Sequence, residues 1–224
     1  GAEETLLESL QNAGGEATLV AVSAGIEPRQ MSGDADAEEH DADEEHDHAE
    51  GDPHVWTTPY NAVTMVGNIE QALASLDPAN AQSYQSQAAA YTARLGTLDS
   101  WVQSQIDTIP GENRKLVTDH TSFGYFADRY GLTQVGAVIP SFSTAAEPSA
   151  QELADLTDAI RKYKVPAIFV GSTVNPTVSE RVAQDTGTRL LTIYTGSLGP
   201  AGSGAESYVE YIEYNTNTIV KGLQ

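Results

Sequence analysis

This 224-residue sequence predicts an α/β fold with two lobes of parallel-sheet type, joined by one long backbone helix. Three observations carry that reading. After Pro110-Gly111 the chain alternates four times between a short apolar run and an amphipathic helical pattern, the order of a parallel sheet with helices on its faces. Before that break, helical periodicity persists for ~32 residues, about 48 Å at 1.5 Å per residue, which exceeds the width of a small lobe. Further upstream, Ala17–Val22 is a continuous apolar run of the buried-strand type, which places a separate lobe there. The expected divisions are residues 1–76 for the remainder of an N-terminal lobe, 77–110 for the linking helix and 111–224 for the C-terminal lobe.

Each element has its own signal. Glu4 to Asn12 has Leu6, Leu7 and Leu10 on one helical face, and Gly14-Gly15 closes it. Residues 32–51 offer almost nothing to bury, so a mobile loop is expected. Asn61 to Leu76 has Val63, Val66, Ile69, Leu73 and Leu76 at helical spacing. Asp77-Pro78 reads as an N-cap with proline in the first turn, opening a long helix striped by Tyr84, Ala88, Tyr91, Leu95, Leu98, Val102 and Ile109. Gly96 weakens it by roughly 1 kcal/mol. No strict heptad with charged flanks is sustained, which disfavours a coiled coil.

In the C-terminal part, strand 115–118 leads to a helix near 122–130 that Gly131 stops. Strand 134–139 leads to a helix opened by the capping box Ser149-Ala150-Gln151-Glu152, with Leu153, Leu156, Ile160 and Tyr163 as its buried stripe. Strand 167–170 leads to Asn175-Pro176, an N-cap with proline at N1, and a helix to Gly187. Strand 189–194 leads through a glycine-rich loop to a final helix over about 206–221. In open sheets of this kind ligands bind beyond the carboxyl ends of the strands, where His120 falls.

The net charge of −21 is partly local, because eleven of the 32 acids lie between Asp34 and Asp52, leaving 21 acids against 11 bases elsewhere. Such a surface repels nucleic acid and anionic membrane and attracts cations. Cysteine is absent, which excludes thiolate metal sites and leaves imidazole and carboxylate donors. No apolar run approaches the ~18 residues of a membrane span. Gly1-Ala2-Glu3-Glu4 is not a basic, apolar leader, so the sequence reads as intracellular or as a mature or trimmed chain. Catalytic motifs are missing: there is no Gly-x-Ser-x-Gly elbow, phosphate loop, His-Glu-x-x-His or cysteine nucleophile. No enzymatic activity is expected.

Four of the five histidines lie between His40 and His54, and His120 stands alone. A single loop histidine is usually only a polar surface residue. Two on different lobes could meet on one metal ion, and that is the reading for His54 and His120. Asp52 and Trp56 back the first, and Asp119 could orient the second or cap the helix after it. His40, His46 and His48, interleaved with carboxylates, suit weak capture of zinc by a loop that must be ordered on binding.

Asp52-Pro53-His54-Val55-Trp56 after a His- and acid-rich tract resembles the zinc and manganese substrate-binding proteins of bacterial ABC importers. So do His120 with Phe123-Gly124-Tyr125-Phe126, then Tyr130-Gly131-Leu132, Glu147-Pro148-Ser149, Ile168-Phe169-Val170 and Ser207-Tyr208…Tyr214-Asn215. The resemblance implies a metal cleft between two lobes bridged by a long helix. It also implies an extracytoplasmic or periplasmic location with a lipid anchor upstream, and docking to an ABC permease. The acidic His-rich loop favours zinc as the transported ligand, with manganese as the alternative. Of four expected protein ligands, His54 and His120 correspond to the second and third. The first precedes Gly1, and the fourth, usually aspartate, falls on Gly196; a glutamate often stands where this chain has Gly171. A zinc buffer or adhesin on the same scaffold with a degraded cleft site is the alternative function. A lobe without its opening strand would expose a sheet edge, so a strand-exchanged dimer is a further expectation.

Overall fold

A computed structural model describes residues 18–30 and 51–224. The helix expected over Glu4–Asn12 and the tract carrying His40, His46 and His48 lie outside the described residues.

After a short 3-10 turn at Val55–Thr57, helix α1 (Pro59–Leu76) starts where Thr58 accepts the Asn61 amide and Pro59 occupies the first turn. Val63 and Val66 of its predicted stripe pack on the core, whereas Ile69, Leu73 and Leu76 are exposed. Helix α2 (Ala81–Ile106) is shorter than its periodicity suggests, 26 residues or about 39 Å. Asp77 and Pro78 open a 3-10 turn, and the Asp77 carboxylate accepts from the side chains of Asn80 (2.7 Å) and Tyr84 (2.9 Å). Ile109, counted into the stripe, is buried beyond the helix end.

The predicted alternation then follows. Strands β1 (Lys115–His120), β2 (Thr133–Ile139), β3 (Ala167–Gly171) and β4 (Arg189–Ile193) form one parallel sheet in the order β2-β1-β3-β4. Between and after them come α3 (Gly124–Tyr130), α4 (Ala150–Tyr163), α5 (Thr177–Thr186) and α6 (Tyr208–Leu223). The β3 side chains are buried on both faces, as an apolar run without alternation requires. Ala167 and Phe169 join a core with α2, α3 and α6, while Ile168 and Val170 join one with α4 and α5. The capping box at Ser149 forms as expected, and an equivalent one forms at Ser207 with Glu210. Tyr163, assigned to the buried stripe of α4, is exposed. Asn175 binds the Thr177 amide and hydroxyl, so α5 begins one residue later than the Asn-Pro pair suggests.

The strand order puts the topological switch between β1 and β3, because the chain leaves β1 toward β2 and returns on its other side as β3. His120 and Gly171 are the last residues of those two strands. The long helix is anchored at one end. Leu95, Leu98, Val102 and Ile106 are buried in the core, but no residue from Ala81 to Arg94 is.

One expectation fails. Residues 18–22 are not a strand: the segment turns, and Leu19 and Val20 are exposed. A buried parallel strand needs a hydrogen-bonding neighbour and cover on both faces, and among the described residues this segment has no ladder. Instead the Asn68 side chain donates to the carbonyls of Val22 and Ala24 (2.8 and 2.9 Å).

Asp99 of α2 binds α3 to the long helix. Arg129 reaches its two carboxylate oxygens at 2.6 and 2.5 Å, and the Tyr130 hydroxyl donates at 2.7 Å. Burial alone would raise the Asp99 carboxyl, but the hydrogen bonds from Arg129 and Tyr130 prevail and hold it below the usual carboxylate range. A depressed folded-state value means the stabilisation is present above the unfolded carboxylate's titration and is lost as pH falls through the lower, folded one. Asp99→Asn should therefore flatten the acid limb of the stability profile below about pH 4. Urea midpoints between about pH 2 and 7 that fall in parallel for both proteins would refute this.

Candidate metal site

The sharpest local construction lies around the two histidines. His54 follows proline just before the 3-10 turn that leads into α1, and His120 closes β1 rather than lying past it. Both are buried, at 6% and 4% exposure, although a loop histidine such as His54 would ordinarily be read as a polar surface residue. Their ring centroids are 5.2 Å apart with planes inclined at 67°. Two imidazoles on one tetrahedral zinc, with Zn–N near about 2.05 Å, would place their centroids about 5 Å apart.

The two histidines are held the same way. Asp52 Oδ1 accepts from the His54 amide (3.0 Å) and lies 2.8 Å from its Nδ1. Asp119 Oδ1 accepts from the His120 amide (2.9 Å) and lies 3.0 Å from its Nδ1. An ionised carboxylate only accepts, so in the neutral form of each ring Nδ1 carries the proton and Nε2 keeps its lone pair for a ligand. This is the carboxylate–histidine arrangement that fixes the tautomer and raises donor basicity at metal centres.

The second oxygens of the carboxylates tie the site to the scaffold. Asp119 Oδ2 accepts from the Gly171 amide at the end of β3 (3.0 Å), crossing the switch point. Asp52 Oδ2 is buried without a hydrogen bond among the described residues and lies 3.9 Å from the Arg29 guanidinium, whose positive charge offsets it. Arg29 also binds Asp128 of α3 at 2.6 Å and packs on Gly124, where a Cβ would collide with the guanidinium.

Aromatic side chains wall the site. Trp56 meets His54 edge-on at 5.4 Å, and Phe142 lies 6.3 Å away on a tilted approach. The Trp56 indole donates to the Thr195 carbonyl (3.1 Å), which also accepts from Tyr211 (3.2 Å), and Tyr208 donates to the Trp56 carbonyl (2.9 Å). Burial pushes both phenols well above their usual value, so they remain hydroxyl donors. These residues, with Gly196, Ser197 and Leu198, line a cavity of about 310 Å³. Gly196 has open space where a side chain would project.

The geometry thus brings His54 and His120 together. Among the described residues no group of three or more His, Asp or Glu side chains converges as a metal cluster. Glu206, considered as a substitute donor, turns its carboxylate to the Gly202 amide (2.5 Å) in its own loop. Arg29, Tyr125, Phe142, Thr195, Tyr208 and Tyr211 were not singled out for the site by sequence reasoning. Tyr125 and Tyr208 stand in segments that carry the family resemblance, but nothing there marks them as neighbours of His54. Arg29 and Phe142 fall in no motif, Thr195 merely precedes Gly196, and Tyr211 lies unmarked within the Ser207–Asn215 ending; only the tertiary structure brings the four to His54 or to Asp52 and Trp56 on either side of it.

A buried, carboxylate-oriented pair of imidazoles beside the switch point of an α/β sheet has the donor chemistry of a metal site. The family model described as zinc-uptake complex component A, periplasmic (ZnuA), matches residues 1–222, and the chain belongs to that family. It is 34% identical over 173 residues to the manganese-binding lipoprotein MntA of Halalkalibacterium halodurans, covering 77% of this chain and 57% of that protein. It is 31% identical over 172 residues to the iron-binding protein YfeA of Yersinia pestis, covering 76% and 55%. The chain therefore spans a little over half the length of these curated relatives. Among solved structures, it superposes on the periplasmic zinc-binding protein TroA from Treponema pallidum with a TM-score of 0.80 at 28% identity, covering 96% of this chain and 75% of that one. A Mn-bound mutant form of the periplasmic metal-binding protein from Candidatus Liberibacter asiaticus gives 0.83 at 26%, covering 99% and 77%. The α/β architecture expected from the sequence agrees with these structures. No helix among the described residues is long and apolar enough to cross a membrane.

Proposed function

We propose that this chain captures a divalent transition metal outside the cytoplasm, with zinc favoured, and presents it to the permease of an ABC importer. The observation that carries this reading is the pair of buried imidazoles, each with Nδ1 on a carboxylate and ring centroids 5.2 Å apart. Such a site binds an ion without transforming it. The names of relatives span manganese, iron and zinc. Donor chemistry separates them: neutral imidazole suits zinc, whereas carboxylate and water suit manganese.

His40, His46 and His48 serve in this reading as a low-affinity collector. Their tract leaves and re-enters the described chain at one point, since the Arg29 carbonyl accepts from the Asp52 amide at 2.5 Å, two residues from His54. An ion held by a segment tethered there is at high effective concentration over the cleft.

Calorimetric titration of the chain with zinc and with manganese tests the proposal. Zinc is expected to bind at least about tenfold more tightly, in keeping with the donor set. Gly196→Asp, which adds a carboxylate in open space, should tighten zinc by about tenfold or more. Tighter manganese binding would overturn the zinc preference, and no binding of either ion would overturn capture by this chain. The second reading, a zinc buffer or adhesin, draws on Gly196 having no donor to offer; normal growth of a deletion strain under zinc starvation would favour it over import.

A further inference from the structure

The two histidines belong to segments far apart in sequence, and something must set the distance between them. Helix α3 follows His120 after three residues, so it moves with the end of β1. Its outward residue Tyr125 reaches the other segment. The Tyr125 hydroxyl accepts from the Arg29 amide (3.0 Å) and has one proton to give. Two carbonyls compete for that proton: Asp52, two residues before His54, at 3.1 Å, and Glu27 at 3.3 Å. One turn further along α3, Asp128 holds the guanidinium of the same Arg29. Arg29 in turn accepts the Asp52 amide through its own carbonyl. The Asp52 backbone is thus gripped on its carbonyl by Tyr125 and on its amide by Arg29, while its side chain orients His54.

We propose that Tyr125 is a positioning residue for the metal site: its hydroxyl ties the helix that follows His120 to the backbone that presents His54, and so fixes the spacing of the two imidazoles. The proposal rests on the reading that both histidines bind the ion. Tyr125 does not touch the ion. Burial raises its phenol, so the hydroxyl keeps its donor proton at neutral pH. Removing that hydroxyl leaves the ring in place and frees the Asp52 carbonyl, so the His54 segment can drift relative to β1. Partners bonded directly to metal-bound histidines are worth about 10–100-fold in affinity. Tyr125 acts one link further out, through Asp52, so an effect of about fivefold is expected.

The test is a zinc titration cycle on the full 224-residue chain: unchanged protein, Tyr125→Phe, His54→Ala, and the two together, each with a urea melt of the zinc-free form. Tyr125→Phe should weaken zinc about fivefold in the unchanged background and have no effect once His54 is gone, because one imidazole has no spacing to set. Equal weakening in both backgrounds, or less than about twofold weakening in the first, would overturn the proposal. If Tyr125→Phe fails to fold, Asp128→Asn loosens Arg29 from the same helix at an exposed position, and the same dependence on His54 decides. The underlying reading fails separately: if His54→Ala and His120→Ala both leave zinc affinity unchanged, the two-histidine site is wrong whatever Tyr125 does.

Discussion

His120→Ala is expected to weaken zinc binding at the His54–His120 pair by at least about 100-fold, because removing only an outer partner of a metal-bound histidine already costs about 10–100-fold. The substitution does more than remove a donor. It leaves Asp119 buried at 1% exposure with Oδ1 keeping only the backbone amide at position 120, while Oδ2 still binds Gly171. A carboxylate that loses a buried partner costs stability as well. His120→Ala should therefore lower the urea midpoint of the zinc-free protein, and His120→Gln, which keeps bulk and a donor, should lower it less. Calorimetry with the loop histidines His40, His46 and His48 replaced by serine isolates the cleft. Unchanged zinc affinity of His120→Ala in that background would sink the site.

Gly171→Ala carries the second large effect. An added Cβ would sit 2.5 Å from Thr195 Oγ1 and 3.1 Å from Asp119 Oδ2, so a neighbour must move. The Thr195 backbone is held in place, since its carbonyl accepts from both Trp56 and Tyr211, and its Cγ2 would also lie 3.3 Å from the new Cβ. Asp119 can move only by letting go of the Gly171 amide or of His120. Overpacking of this kind typically destabilises by about 1–3 kcal/mol. Because one of the yielding groups orients His120, zinc affinity should fall about tenfold alongside stability. Gly171→Ala/Thr195→Ala removes the closest contact and should recover most of the stability. Unaltered urea midpoints and zinc affinity in Gly171→Ala would refute this account.

Much of the fold was legible because its signals are local. Gly131 takes a left-handed φ of 72° where the helix must stop, and Ser149 with Glu152 forms the capping box that its spacing announces. The buried run of β3 reads as a central parallel strand from composition alone. Where the reading failed, the deciding partner was distant. Val20 and Leu19 have strand character, but a strand exists only with a neighbour to bond, and among the described residues there is none. The α1 stripe is genuine in spacing, yet only Val63 and Val66 meet the core that α2 and α6 build. Asp77 looks like a backbone cap, but Tyr84, seven residues on, and Asn80 take its carboxylate instead.

By itself the sequence determined which residues could hold an ion. Without cysteine the donors had to be imidazole or carboxylate, and His54 and His120 stood out by their acidic neighbours, Asp52 and Asp119. It also determined the alternation that makes a parallel sheet, because apolar period and end caps are properties of a few adjacent residues. Only the tertiary structure decided that the two rings lie 5.2 Å apart, and that Asp52 and Asp119 each turn one oxygen to a ring nitrogen. It alone placed Arg29, Tyr125 and Thr195 around them. The physical reason is that spacing between segments comes from the order in which strands pair and from which side chains fill the crevice at the switch point. Those contacts join residues as far apart as Asp119 and Gly171 or Trp56 and Tyr208, 52 and 152 positions, and no local pattern encodes them.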